Sequence, residues 1–309
     1  MRLRLPKPQF GSIGYARWEW AIMRTAFAVL CVYRSSPHQF KSSTWPPERY
    51  GWDISELPVP NGIAQFADLS FAASPVFDTA AAAIFYVALL GYVFGRLPLL
   101  STLALLLTNI LYGTSANSQG AIHHTGQIVG LVLLGQVLAH TYRLVRHVAG
   151  KESLYQSAGH HHRDLIYHSQ QLVAAAYVIT GISKLVRSGG EWVSTLPNIA
   201  LQFEKNAAMR YYDTLVETAS PANRVAIDFV IAYPKLAQLF FGTGLFLELF
   251  TVLALWNRTT LVLWGMALWF LHTAVSEIML LGFAFNKSVL LIFFMNLPFW
   301  VFRIVGKRG

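Results

Sequence analysis

Hydrophobic positions along this chain come in runs too long and too uniform for the half-buried elements of a soluble fold. Apolar runs cover 16–33, 77–94 and 97–112, the last two joined by a tight Gly95-Arg96 turn. A fourth opens out of the polar segment 113–127 and reaches about residue 144, and a fifth lies within 167–185. Three more follow at about 233–256, 259–282 and 288–305. Runs of this kind are near the length that crosses a hydrocarbon core of about 30 Å as a helix. The pattern predicts an all-α, polytopic membrane bundle of about eight transmembrane helices, one integral membrane domain over 1–309. No repeat of 20–50 residues is evident.

The polar stretches between the runs are as informative. Residues 34–77 hold Pro37, Pro46, Pro47, Pro58, Pro60 and Pro75, with Trp45, Tyr50, Trp52 and Phe66 among them. A connection of that length is expected to fold as a cap over one membrane face, its aromatics at the interface. A second long connection runs from 188 to about 232. In it Leu201, Ala208, Tyr212 and Leu215 recur at helical spacing, with Lys205, Arg210 and Asp213 between them. That is the pattern of an amphipathic helix lying on the interface. Pro221 interrupts it, and Pro234 is expected to kink the start of the sixth span. The 143–163 stretch has no apolar frame and reads as a solvated basic loop; metal capture by its His160-His161-His162 triplet is the alternative.

Composition agrees. The 309 residues are 54% hydrophobic and 13% charged, where a soluble domain carries about 25% charged residues. The formal charge of +9 does not point to nucleic acid, because no basic run exceeds two residues. Lys and Arg instead flank the apolar runs, as the positive-inside rule expects. Arg2, Arg4, Lys7, Arg96, the 143–163 loop, Arg258, Arg303, Lys307 and Arg308 fall on one side, while 113–124 on the other has no Lys or Arg. Both termini are therefore expected in the cytoplasm. The first run could mimic a signal peptide, but Arg17, Glu19 and Arg24 interrupt it and no small-x-small site follows, which predicts an uncleaved span. The single cysteine, Cys31, allows no intrachain disulfide.

A few polar residues inside the spans carry the candidate chemistry. On the fifth, Gln170, Ala174, Tyr177, Gly181 and Lys184 fall on one face. Such a stripe must face protein or water, since hydrocarbon cannot satisfy its hydrogen bonds. Lys184 has two readings: a lysine snorkelling to the nearby interface, or a buried functional amine. His123 and His124 open the fourth span, where the helix dipole disfavours imidazolium; they serve either as cap and packing residues or as neutral ligands. His272 and Ser276 share a face of the seventh span. Arg24 and Glu248 lie deep in the first and sixth and are expected to be held by partners. With the charge-based topology, Lys184, His123 or His124, and His272 all occupy the outer half beneath the two long connections, where their convergence makes one site.

The motifs around these residues carry a resemblance. Gly181-Ile-Ser-Lys184-Leu with Gly189-Gly-Glu-Trp192 resembles the lysine-bearing helix of the HTTA domain family, the membrane part of the vitamin K-dependent γ-carboxylases. Phe270-Leu-His272 with Glu277-Ile-Met-Leu-Leu-Gly282-Phe283 is similar to that family's histidine helix. Asn117 to His124 stands where the family has another histidine segment, and Gly244-Leu-Phe-Leu-Glu248 resembles its acidic helix. The order and spacing agree over most of the chain. Two departures stand out: Thr180-Gly181 replaces the family's Ala-Gly, and Ile122 and Thr125 replace the aromatics around the family histidine, so His123 or His124 could match.

The resemblance implies a membrane-embedded, quinol-dependent oxygenase or epoxidase, an oxidoreductase with lyase-like features. Lys184 would be the base that deprotonates a reduced naphthoquinone of the menaquinol or vitamin K hydroquinone type, a step that needs the neutral amine. Dioxygen would complete the reaction and a strong base would form beside a second substrate, a peptide or a small molecule. His124 or His123, together with His272, would hold quinol oxygens or a developing oxyanion. Tyr177, Asn117, Trp192 and Ser276 would line the quinone site, with no metal required. No large lumenal domain follows Gly309, so protein γ-carboxylation is not the expected reaction. Two other functions stay open: a non-catalytic quinone- or lipid-binding membrane subunit, or accessory factor for processing a secreted peptide, and a proton-coupled transporter using Glu248, His272 and Lys184, for which no inverted repeat is visible.

Overall fold

The computed structural model describes residues 13–35, 66, 71, 74–117, 126–151, 161–215 and 221–305. Every regular element among them is helical. In chain order these are α1 (Arg17–Ser35), α2 (Pro75–Phe94), α3 (Pro98–Asn117), α4 (Gln127–Val148), α5 (His161–Arg187), α6 (Ile199–Thr214), α7 (Pro221–Ala232), α8 (Pro234–Leu249), α9 (Arg258–Met279), α10 (Ala284–Val289) and α11 (Leu297–Val305). Tight 3₁₀ turns lie at Leu196–Asn198 and Thr251–Trp256, and a π-helical turn at Leu290–Met295. Most of the proline-rich 34–77 connection, the 118–125 segment and residues 152–160 lie outside the described residues.

Among the described residues α2, α4 and α9 are each long and apolar enough to cross a membrane, and up to five spans result if each of two bent helix pairs counts as one. Helices α1 and α5 fall short for a chemical reason: α1 carries Arg17, Glu19 and Arg24, and α5 carries Asp164, His168, Gln170, Gln171 and Lys184. Such residues do not face lipid, so these helices depend on protein neighbours.

The chain divides into two compact units, with the boundary inside α5. In the unit built from Gly14–Leu172 and Pro298–Gly309, the core holds Phe27, Phe85, Leu105, Leu133 and Ile166, all fully buried. Helix α2 ends where Gly95 turns left-handed at φ 67, and Arg96 N–H donates back to Gly91 O at 2.7 Å. The head of Arg24 packs in the space a side chain on Gly95 would fill, which is where this mid-span cation goes. Tyr15 ties the start of α1 to α5: its hydroxyl accepts from Gln170 Nε2 at 2.8 Å, and its carbonyl meets His162 Nε2.

The other unit, chiefly Val173–Leu297, has its core around Phe203, Leu261, Leu268, Leu290, Phe293 and Phe294. Asn257 starts α9 through a capping box. Its Oδ1 accepts from the amides of Thr259 and Thr260 at 2.9 and 3.0 Å, while Thr260 Oγ1 accepts from the Asn257 amide at 3.0 Å. Three amides that hydrocarbon would leave unsatisfied are thereby closed.

The amphipathic helix expected in 188–232 is α6, and α7 follows it after Pro221. Phe203 is fully buried on α6, whereas Leu201, Tyr212 and Leu215 are 74%, 74% and 76% exposed. The apolar stripe read from the sequence is therefore the face that α6 leaves uncovered, as an interfacial helix would. Asn206 and Asn223 fasten α6 and α7 by donating to the carbonyls of Met279 and Ile278 at the end of α9. The bend expected at the entry to the sixth span is there, 118° between 222–232 and Pro234–Leu249, while the last residues of the span tighten to 3₁₀. Pro234 cannot donate to the preceding turn, so α7 ends before it. The eighth expected span is also broken, at Asn296, whose φ is 44°.

Asn257→Ala removes both side-chain acceptor bonds at the start of α9. It is expected to cost about 1 kcal/mol of stability, seen as a lower Tm in detergent with the helical circular-dichroism signal unchanged below the transition.

Candidate functional site

The polar stripe of α5 is buried. Gln170 and Ala174 are enclosed, Tyr177 is 5% exposed, and Gly181 packs directly on α8. A Cβ on Gly181 would lie 2.9 Å from Leu249 Cδ2 and 3.2 Å from the Leu249 amide nitrogen. That absence of side chain lets the two helix backbones come close, and Lys184, one turn further along, reaches the α8 carboxylate. Lys184 Nζ donates to Glu248 Oε1 at 2.7 Å and to Oε2 at 2.6 Å. The lysine side chain keeps 31% exposure and the carboxylate 9%. A third group closes the set: Nζ stands 5.2 Å from the ring centre of Trp192, over its face. Gly189 and Gly190, at φ 60 and 88, turn the chain back after α5 and bring Trp192 to this position.

The second pair sits two turns earlier on the same face. Tyr177 Oη and His272 Nε2 are 2.7 Å apart, both residues buried. Seven residues separate Tyr177 from Lys184, about 10 Å along the helix axis. The imidazole of His272 is stacked on Phe283, ring centres 4.7 Å apart at 25°. Asn286 reaches the Tyr177 phenol from α10, and its own Oδ1 is buried with no hydrogen-bond partner among the described residues. Ser276 spends its proton on the His272 carbonyl at 2.7 Å, so toward any ligand it offers only an acceptor oxygen.

Four of the residues singled out from the sequence thus lie in one unit and on two facing groups: Lys184 with Trp192, and Tyr177 with His272. Ser276 lies one helical turn from His272. Asn117 is the last residue of α3, with its side chain not described, and His123 and His124 lie outside the described residues. Sequence reasoning placed Glu248 among residues needing a partner without naming Lys184. The signal was there, since a buried acid and a buried base inside one membrane bundle are expected to find each other. Nothing in the sequence pointed to Asn286, which reaches Tyr177 only because the short α10 follows the turn after α9. Among the described residues no three His, Cys, Asp or Glu side chains converge as metal ligands would.

Chemically, the arrangement offers two different proton-handling groups. Lys184 and Glu248 join an amine and a carboxylate through two short hydrogen bonds. Tyr177 and His272 form a neutral donor–acceptor couple, which can pass a hydrogen bond to an oxygen and accept a proton in return. Comparison with known proteins gave no match: no family fits the chain, and neither a curated protein nor a solved structure is similar to it.

The energetic part of the Lys184–Glu248 pair separates from its chemistry. Glu248→Ala is expected to cost about 2 kcal/mol, because it strips both hydrogen bonds from a half-buried ammonium. Replacing both residues by methionine removes both charges and keeps the volume, and should recover most of that loss. Thermal unfolding of the single and double variants in detergent checks the pattern; equal losses in both would show that packing rather than pairing sets the stability here.

Proposed function

We propose that this chain is a membrane-embedded, quinol-dependent oxygenase of the epoxidase type, with Lys184 as the base. The observation that carries the reading is the buried stripe of α5, on which Lys184 and Tyr177 each meet an ionisable partner from the following helices. The resemblance of the Lys184 and His272 segments to the HTTA domain adds to it. In this reading the chain forms about eight spans with both termini cytoplasmic, and the site lies in the outer half of the membrane.

A reduced naphthoquinone and dioxygen supply the redox chemistry: hydroquinone plus dioxygen gives quinone epoxide plus water. The protein's part is proton handling and positioning. Transfer of a proton from Lys184 to Glu248 along their hydrogen bond leaves a neutral amine beside a neutral acid. The amine lone pair then takes the hydroquinone proton. Tyr177 and His272 hold a quinol oxygen by hydrogen bonds that strengthen as negative charge develops there. Trp192 offers an aromatic wall at the lysine end, with Ser276 completing the lining. A peptide or small molecule would be the second substrate.

One observation favours the non-catalytic reading, a quinone- or lipid-binding subunit. Both carboxylate oxygens of Glu248 and the face of Trp192 surround Nζ, and together they stabilise an ammonium. The two readings part at one substitution. Arginine keeps the charge and the bidentate pairing but does not give up its proton. With purified protein, several reduced naphthoquinones and dioxygen, the wild type is expected to form epoxide. Lys184→Arg and Lys184→Ala should both fall by roughly a hundredfold or more. An active Lys184→Arg removes the lysine as base, and a folded wild type that forms no epoxide leaves the binding subunit in its place.

A further inference from the structure

The Tyr177–His272 contact joins two groups that can each donate or accept, so its length of 2.7 Å does not say which of them holds the proton. A third residue of the same unit decides it. Phe283, stacked on the His272 ring, immediately precedes α10, and its carbonyl accepts from the Lys287 amide at 3.0 Å, a complete helical turn. Asn286, three residues on, therefore stands on the face of α10 that Phe283 turns toward His272. From there its amide meets the Tyr177 phenol as a donor. Its Oδ1 is buried with no hydrogen-bond partner among the described residues.

The opposite placement of the amide would give Oδ1 to the phenol and bury the NH2 group without an acceptor. Folded proteins tolerate an under-used carbonyl more readily than an orphaned N–H, so the nitrogen belongs on the phenol. Tyr177 is itself buried, and its one proton needs an acceptor. An amide nitrogen accepts no hydrogen bond, which leaves His272 Nε2. A neutral imidazole that accepts at Nε2 carries its proton on Nδ1. Among the described residues that Nδ1 has no hydrogen-bond partner.

We infer that Asn286 is a positioning residue that sets the tautomer of His272. The chain of bonds runs one way, from Asn286 Nδ2–H to Tyr177 Oη and from Tyr177 Oη–H to His272 Nε2. It ends in Nδ1–H, which donates and cannot accept. Resting on the quinol reading above, this names the form of ligand that the couple favours. A hydroxyl oxygen and an ionised oxygen both accept from Nδ1–H, but the charge-assisted bond is the stronger. His272 thus holds the quinolate better than the quinol, with no charge on its own ring. The other tautomer would turn a bare Nδ1 toward the same oxygen, repelling the anion and holding the protonated quinol instead.

The test is the nitrogen magnetic-resonance spectrum of the full chain in detergent, isotopically labelled at its histidines. A bare ring nitrogen and a protonated one resonate far apart, so each tautomer has its own pattern. The signals of His272 are those that vanish in His272→Gln. Wild type is expected to show a single tautomer, Nε2 bare and Nδ1 protonated. In Asn286→Leu the phenol proton loses its orientation, and the second tautomer should appear beside the first. Tyr177→Phe removes the donor to Nε2 and should have the same effect. A protonated Nε2 in the wild type, on a neutral or a charged ring, overturns the inference. So does an unchanged single tautomer in Asn286→Leu; if that variant does not fold, the wild type and Tyr177→Phe decide. The spectrum needs no turnover, so its outcome is separate from that of the quinol reading. A reduced naphthoquinone added without oxygen should shift the Nδ1 signal and leave Nε2 bare. The expected tautomer with an Nδ1 signal that ignores every naphthoquinol keeps Asn286 in its role and removes the quinol as the ligand.

Discussion

A carboxylate buried on an apolar helix has to be neutralised, and the packing of α5 on α8 accommodates the way Glu248 is neutralised. Lys184 is its partner, from a helix more than sixty residues earlier in the chain, with bonds of 2.6 and 2.7 Å to the two oxygens. For that meeting α5 and α8 must lie close, α5 must continue to its last turn, and the chain after α5 must double back. Each requirement has a residue: Gly181 at the close approach, Lys184 itself near the α5 end, and the Gly189-Gly190 turn that returns Trp192. Two turns away on the same face of α5, Tyr177 meets His272 of α9.

Much of this was legible in the sequence, and the reasons differ from element to element. The buried stripe of α5 could be read because helical periodicity and the cost of polar groups in hydrocarbon both point to one face. Helix α6 could be read from its spacing, and the structure adds which side is covered: Phe203 and Asn206 face protein, while Leu201, Tyr212 and Leu215 do not. The breaks were harder. Pro234 announced a bend but not one of 118°, because a proline states only where a helix cannot continue. The discontinuity at Asn296 carries a fainter signal, an asparagine in an apolar run, able to adopt the left-handed backbone.

The site shows the same division. Lys184, Tyr177, Trp192 and His272 were found from residue type and register. Glu248 was recognised as needing a partner, but pairing between distant helices is a three-dimensional fact that periodicity does not contain. Asn286 was out of reach for the same reason. The His140–His161 pair illustrates the limit from the other side. The histidine triplet at 160–162 invited a metal or loop reading, yet the structure uses His161 to bond the end of α4 and His162 to bond the carbonyl of Tyr15.

Gly181 has a meaning beyond helix packing. Its missing side chain sets the separation between α5 and α8, and with it the length of the contact between amine and carboxylate. The strength of such a contact depends steeply on distance, so the volume at position 181 acts as a remote control on an ion pair it never touches. A single methyl group there would press on Leu249 and leave every titratable residue unchanged. The pairing of Lys184 is in this sense written at a position with no chemistry of its own.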